Sequence, residues 1–506
     1  MISSMQFAWK QILIFFTVLL GATALLLWSL ANPVTMDDGI RHVAMAKILG
    51  AEGIFAVPGW SRFLYHGMMS ELPVDPWYLY DVLLMPLSAL PPTIALKIVT
   101  FVEITLIATS SLLVLRSLRV PPRLHVWYLA VILLGDFHFT FRLFLGRPFP
   151  LFTALALLML WMVLERQWAF MAIALAFAVL LSHLFIFPLF MAMLGCAWLL
   201  FCGQRKESLR AGIAIVIGIT AGFLLHPTPM NYATYLFTAF VRIPFLRELS
   251  LGSELGRGLF TDSRSVLVAL GILFLFLAIG MLRKGWRGFL RQKKVLLLLV
   301  PIVALAAAYA LWMRAIDVLW PMLILGIAAV HAANPGIMNH IKSYFLPRRL
   351  PLVLLLWVLA CGLTFQSGVA VHAIRGKNAK NSLSQFAALN RIPAGSRVLN
   401  VNWDNFPVFL TLRPDLKYAT GMDPTFTHLS DKRASDLLHM LGEKSAKSNP
   451  LLLNAELWMQ ELLKRIPADY VVFARGRNAA VQKQLATSAF VAPFAATGAL
   501  VIFNVQ

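Results

Sequence analysis

Charge is what this sequence has least of: only 13% of its 506 residues are Asp, Glu, Lys or Arg, against roughly 25% in soluble domains. The missing charge is taken from long apolar runs rather than evenly from the chain. Cysteine is nearly absent too. Cys196, Cys202 and Cys361 are the three present; all lie in or beside apolar runs and none forms a CxxC pair. That excludes a disulfide framework or a structural zinc site and leaves packing as their role. There is no internal repeat, no low-complexity stretch and no glycine-rich phosphate loop, so no nucleotide fingerprint is present.

What fills the space is apolar: 59% of residues are hydrophobic and the mean hydropathy is +0.75. Runs of about 20 apolar residues cross a bilayer as helices, because every backbone polar group must be satisfied internally. Such runs fall near 11–31, 94–115, 124–141, 149–164, 168–182, 184–202, 211–225, 265–282, 295–312, 316–332 and 351–369. The expected fold class is therefore an α-helical polytopic membrane protein of about 11 spanning helices, with a small C-terminal α/β domain. The first run is read as an uncleaved anchor, being long with a weak basic n-region.

The formal charge of +21 does not point to nucleic acid. Its basic residues sit between apolar runs: Arg116, Arg119 and Arg123; Arg205, Lys206 and Arg210; Arg283 to Lys294; Lys342, Arg348 and Arg349. Placing these and Lys10 on the cytoplasmic side gives alternating helices without conflict. Their expected contacts are anionic lipid headgroups. Loops 32–93, 142–148 and 226–264 and the tail after 370 are then external.

Within loop 32–93, DGIRHVAMAKILG (38–50) has helical spacing, and PWYLYDVLLMPLSALP (76–91) is aromatic-rich and broken by Pro86. Both suit helices at a membrane interface. The tail, 371–506, expects strands at 396–403, 415–422, 468–475 and 499–505, with helices over SDKRASDLLHML and AELWMQELLKRI.

Several groups carry candidate chemistry. Asp37 and Asp38 follow the first run; they are either an N-cap or a general base or metal ligand at the membrane surface. In GDFHFTFRLFLGR (135–147), Asp136, His138, Arg142 and Arg147 suit either an Asp–Arg pair that fixes packing or phosphate recognition. Ser182-His183 and His226 lie at helix ends, and Arg314 and Asp317 share a tight turn. Tyr232, Tyr235, Arg242, Arg247, Glu254 and Arg257 belong to an external loop that is either a gate or a connector. In the tail, Trp403, Asp404, Asp423 and Phe426 suit either sugar binding or turn chemistry.

Together these stretches resemble the GT-C superfamily of membrane glycosyltransferases, whose members include protein O-mannosyltransferases and the aminoarabinose transferase of lipid A. DDGIRHVAMAKIL resembles the acidic-pair segment of that family's first external loop. PVDPWYLYDVLLMPLSAL resembles its later juxtamembrane helix, and RLFLGRPFPLFTALALLMLW its second external loop with the helix that leaves it. The stretches WDNFP and GMDPTF are similar to segments of uncharacterised bacterial membrane proteins. The motif likeness covers about 60 residues.

The resemblance implies transfer of a sugar from a polyprenyl-phosphate donor to a lipid, glycan or protein acceptor, on the outer face of a bacterial inner membrane. Residues 1–370 would form the transmembrane domain, and 371–506 a periplasmic domain. Asp38 and Asp37 would be catalytic. Arg41, Arg62, Asp136, His138, Arg142, Arg147 and His183 would contact substrate. No nucleotide is needed for such a transfer, and the acidic pair permits a divalent cation without demanding one. Relatives often carry a Lys before the juxtamembrane Pro; here the sequence is Val74-Asp75-Pro76. That contact then passes to Arg62 or to an arginine of 142–147, or the donor differs. The competing reading is a non-catalytic transporter or assembly subunit for envelope polysaccharide.

Overall fold

The computed structural model describes residues 38–55, 59–243, 264–290, 292–311, 313–334, 336, 383–421, 423–442, 454–477 and 479–506. The expected runs 11–31 and 351–369, together with Asp37, Arg247, Glu254 and Arg257, lie outside these residues. In chain order the helices are α1 (Asp38–Glu52), α2 (Tyr78–Leu84), α3 (Pro92–Ser117), α4 (Pro122–Leu134), α5 (Phe137–Leu143), α6 (Phe149–Glu165), α7 (Trp168–Leu181), α8 (Ile186–Phe201), α9 (Arg205–Leu225), α10 (Pro229–Phe237), α11 (Arg264–Leu290), α12 (Lys293–Leu311), α13 (Ile316–Ala333), α14 (Phe406–Leu412), α15 (Pro424–Ser430), α16 (Lys432–Gly442), α17 (Ala455–Arg465) and α18 (Ala479–Leu485). The described residues fall into two compact units, one containing 97–225 and the described part of 252–375, the other the remainder.

The first unit is helical and apolar. Every expected run between 94 and 332 coincides with helix. By length and composition, six helices among the described residues can cross a membrane, or seven if one bent pair forms a single span. Helices α6 and α7 are apolar but shorter, at 17 and 14 residues. Large apolar side chains such as Leu209, Ile213, Val216 and Leu224 on α9 are exposed, as expected of a surface that lipid covers. Helix α13 is the opposite: its residues from Ile316 to His331 are buried. Close packing of α9 on α7 rests on Gly218 and Gly222, where an added Cβ would fall 2.6 Å from Ala172 O and from Val179 Cβ; small residues four apart allow such approach.

The run 124–141 is expected as one straight helix, and here the structure differs. It breaks into α4 and α5, bent by 82°. At the break a Cβ on Gly135 would lie 2.5 Å from Val131 O and 2.7 Å from the Trp320 ring. The next residue, Asp136, starts the new helix by accepting a hydrogen bond from the backbone N–H of Phe139 (2.8 Å). Carbonyls freed by the bend are satisfied by side chains: Trp320 Nε1 donates to Ile132 O (3.0 Å) and Thr140 Oγ1 to Leu133 O (3.0 Å). Without water in the bilayer, those bonds are what make the break tolerable.

The second unit joins three distant stretches of chain around a five-stranded sheet: β1 (Arg397–Asn400), β2 (Lys417–Tyr418), β3 (Tyr470–Ala474), β4 (Val491–Ala496) and β5 (Leu500–Val505), in the order β2-β1-β3-β5-β4. Strands β2, β1 and β3 run parallel; β5 and β4 are antiparallel to their neighbours. Leu399, Val471, Phe473 and Phe503 pack with Leu437, Leu441, Met459 and Leu462 of α16 and α17 in one core.

The loop before α2 extends this sheet. Leu64 pairs with Tyr418 as an isolated parallel bridge. Tyr418 N–H donates to Phe63 O (2.8 Å), and Tyr65 N–H to Tyr418 O (3.0 Å). Helix α1 lies against α14, with Thr411 Oγ1 donating to Ile40 O (3.4 Å). Gly39 to Ala46 are consequently all buried.

Gly59 sets the geometry of that loop. Its φ is +81°, and a Cβ there would lie 2.3 Å from the carbonyl carbon and oxygen of Val74. Both the left-handed backbone and the contact exclude a side chain. Gly59→Ala is expected to cost about 2 kcal/mol or more, read as a lowered midpoint in thermal unfolding of the detergent-solubilised protein.

Candidate functional site

Helix α1 begins at Asp38, so its successive turns bring Asp38, Arg41 and His42 to adjacent positions. Arg41 Nη1 lies 3.4 Å from Asp38 Oδ1. The two partners are unequal. The Asp38 side chain is 32% exposed and that of Arg41 3%, so the carboxylate is presented while its cation is enclosed.

What encloses Arg41 is aromatic. Its guanidinium carbon is 5.0 Å from the Trp60 ring centroid and 4.7 Å from that of Trp77. The two indoles meet edge to face, 6.4 Å apart, and Arg41 occupies their corner. A desolvated cation on indole is worth about 2 kcal/mol.

The indoles are fixed in turn by Asp75. Its Oδ1 accepts from Trp60 Nε1 and from the backbone N–H of Trp77, both at 3.0 Å. The Asp75 carboxyl neighbours that of Asp81, whose Oδ1 lies 2.6 Å from His42 Nδ1. Asp81 and His42 are fully buried, and Asp75 nearly so. Burial pushes the Asp81 carboxyl well above its ordinary range, and the neighbouring Asp75 raises it further. Burial likewise raises Asp75, against the hydrogen bonds it accepts. Two adjoining buried carboxyls cannot both ionise cheaply, so they hold a proton between them.

The other candidate residues of this unit fall around the cluster or away from it. Arg62 makes two hydrogen bonds to Glu52 on the surface. His226 stacks on Tyr232 (4.2 Å between centroids, 3° between planes) and reaches Asp75 O at 3.3 Å. Burial lowers its pKa to about 4, so it is neutral at physiological pH. In the tail, Asp423 caps α15, accepting from Thr425 N–H at 2.9 Å, and Phe426 is buried against Tyr235; these two do turn and packing chemistry. Trp403 is exposed, beside Asp404, which pairs with Arg477 through two bonds of 2.9 and 2.6 Å.

In the membrane unit, α5 carries His138 and Arg142 four residues apart. Arg142 Nε donates to both oxygens of Asp317 on α13, at 2.8 and 3.0 Å. The Phe149 ring lies 4.7 Å from the Arg142 guanidinium and 4.9 Å from that of Arg314. Asp317 is thus tied to Arg142 across 175 residues of chain. Asp136 is an N-cap and is buried. Arg147 follows Gly146 in the link to α6. His183 lies 3.0 Å from Ser182 Oγ, in the turn between α7 and α8.

Trp60, Trp77, His42 and Asp81 are the residues that sequence reasoning missed. The available signal was two acidic residues, Asp75 and Asp81, inside an otherwise apolar and aromatic stretch. Among the described residues no three His, Cys, Asp or Glu side chains stand together as a metal site.

No protein-family model matches the chain, and no curated protein matches its sequence. Among solved structures it is similar to the oligosaccharyltransferase of Archaeoglobus fulgidus in its apo form, at 12% identity and a TM-score of 0.55 over 91% of this chain and 69% of that one. The same values hold for that protein, AglB, in complex with an inhibitory peptide and a dolichol-phosphate. It is also similar to the arabinofuranosyltransferase AftD from Mycobacteria, at 16% identity and a TM-score of 0.56 over 97% of this chain and 41% of that one. Both proteins are GT-C glycosyltransferases, and likeness at this level of identity is likeness of fold: the chain has the GT-C fold.

Two measurements check the site's electrostatics. Asp317→Ala leaves Arg142 enclosed without its carboxylate, which is expected to cost about 3–5 kcal/mol in thermal unfolding. For the carboxyl pair, the folded chain holds a proton that the unfolded chain releases near 3.8. Stability from that proton is present at low pH and lost as pH rises from there through the raised folded value. Asp81→Asn removes the proton's release, so its melting temperature should gain on the wild type as pH increases from 4 to 8.

Proposed function

We propose that the protein is a glycosyltransferase that moves a sugar from a polyprenyl-phosphate donor to an acceptor hydroxyl at the outer face of a bacterial inner membrane. The observation that carries the reading is the partly exposed Asp38 carboxylate, held against an Arg41 that is itself enclosed by two indoles. An arginine buried at that expense orients something, and the group it meets is the one open to solvent. The GT-C fold supports the reaction class, and the AglB structure with dolichol-phosphate supports a lipid-linked donor. The basic loops between membrane helices support a cytoplasmic N-terminus and a periplasmic C-terminal domain.

In the proposed reaction an oxygen lone pair of the acceptor forms a bond to the anomeric carbon of the donor sugar. The bond from that carbon to the phosphate oxygen breaks, and its electron pair leaves with the polyprenyl phosphate. The acceptor's proton passes to Asp38, the general base; Asp37 is its neighbour in sequence. Guanidinium groups neutralise the departing phosphate, a role their rigid fork of donors suits. Arg62, Arg142, Arg147 and His138 are the proposed candidates for that role.

The test uses labelled polyprenyl-phosphate sugars, both hexoses and pentoses, incubated with membranes that contain or lack the protein. Transfer should depend on the protein. Asp38→Asn should lower it by about 100-fold or more, with the purified variant melting as the wild type does. A folded Asp38→Asn protein of undiminished activity would refute the assignment. Protein-independent labelling would favour the transporter or assembly subunit.

A further inference from the structure

The residue before Pro76 is a buried aspartate, and both indoles around Arg41 hang on it. Asp75 Oδ1 accepts two hydrogen bonds, one from the Trp60 indole and one from the Trp77 backbone. Those are the two residues whose rings form the corner around Arg41. Trp60 is fully buried and also packs edge to face on Phe406 of α14, 6.0 Å away. The indole N–H therefore has to end on an acceptor inside the protein, and Asp75 is that acceptor.

On the far side Asp75 meets Asp81, which is held by His42 from the same helix as Arg41. The array therefore closes on itself. Helix α1 supplies Arg41 and His42, α2 supplies Asp81, and Asp75 bridges the indoles to the carboxyl.

We propose that Asp75 is a positioning residue for Asp38, acting through the indole corner and Arg41 rather than on substrate. The inference rests on the transferase reading above. Asp75 works by the direction of its hydrogen bonds, as an acceptor toward Trp60 and Trp77, with the Asp81 carboxyl beside it. Its negative charge is not the working part, because the adjoining carboxyls hold a proton between them. An asparagine reproduces the same pattern, with its carbonyl accepting from the indole and from the Trp77 N–H. An alanine leaves the indole N–H without its acceptor and lets the corner open.

The difference between Asp75→Asn and Asp75→Ala is the experiment. Transfer from labelled polyprenyl-phosphate sugar is measured as kcat and donor KM for both variants, beside wild type and Asp38→Asn, each checked for folding by thermal melt. Asp75→Asn should stay within about threefold of wild type. Asp75→Ala should lose about 10–100-fold in kcat, as a displaced reactive group does, with donor KM little changed. Trp60→Phe, which keeps an aromatic face but removes the N–H together with the pyrrole half of the indole, should fall in kcat in the same direction, and it serves where Asp75→Ala does not fold.

If Asp75→Asn is as impaired as Asp75→Ala, the charge itself acts and the proposal is wrong. It is equally wrong if folded Asp75→Ala keeps full kcat, or, where that variant does not fold, if Trp60→Phe keeps it. Either result with Asp38→Asn inactive removes this inference alone. An Asp38→Asn protein as active as wild type removes the assignment of Asp38 and this inference with it, whereas labelling that does not depend on the protein removes the transferase reading.

Discussion

The burial of one arginine governs the organisation of the second unit. A guanidinium at position 41 is 2% exposed, and a cation out of water needs faces, edges and a counter-charge. Two indoles supply the faces and Asp38 the counter-charge. Each of those groups then needs its own support. The Trp60 N–H requires Asp75, Asp75 beside Asp81 requires a shared proton, and Asp81 requires His42. The chain of requirements returns to α1 after crossing two separate stretches of loop. That closure explains why α1 is buried from Gly39 to Ala46 even though it opens with a charged residue.

In the membrane unit the same logic appears with different partners. Bending the 124–141 run exposes carbonyls that lipid cannot satisfy, and Trp320 and Thr140 reach them. Arg142 meets Asp317 on α13, which is buried along nearly its whole length. The buried helix thus carries both the indole that tolerates the bend and the carboxylate that neutralises the arginine. Break and ion pair are two uses of one central helix.

Helices are the legible part of the sequence, because hydrophobic run length has a direct physical cause in the bilayer. The strands at 396–403, 468–475 and 499–505 are visible as β-branched and aromatic runs, whereas 415–422 shrinks to Lys417–Tyr418. Strand β4 has no such signature: VAPFAA carries a proline and sits at the sheet edge with a register shift at Pro493, where local pattern is weakest. The helix break at Gly135 is hidden because hydropathy does not distinguish a straight apolar run from a bent one. Asp38 stands out because an acidic pair after an apolar run is unusual. Its supporting indoles do not, because Trp60 and Trp77 look like ordinary interfacial aromatics until chain contacts bring them to one cation. The pairing of Arg142 with Asp317 is tertiary and has no local signature.

The bridge between Leu64 and Tyr418 has a consequence for biogenesis. The neighbouring contact from Lys417 to Arg62 O spans 355 residues. At synthesis rates of ~5–20 residues per second, the later segment emerges roughly 20–70 s after the earlier one. Throughout that interval the Tyr65 N–H is without the Tyr418 carbonyl that it meets in the folded chain, and the Trp60 ring is without Phe406. The nascent protein therefore passes through a long stage in which its membrane helices are in place and its polar centre is still open. Quality control acting on that stage would monitor the arrival of the C-terminal sheet rather than insertion.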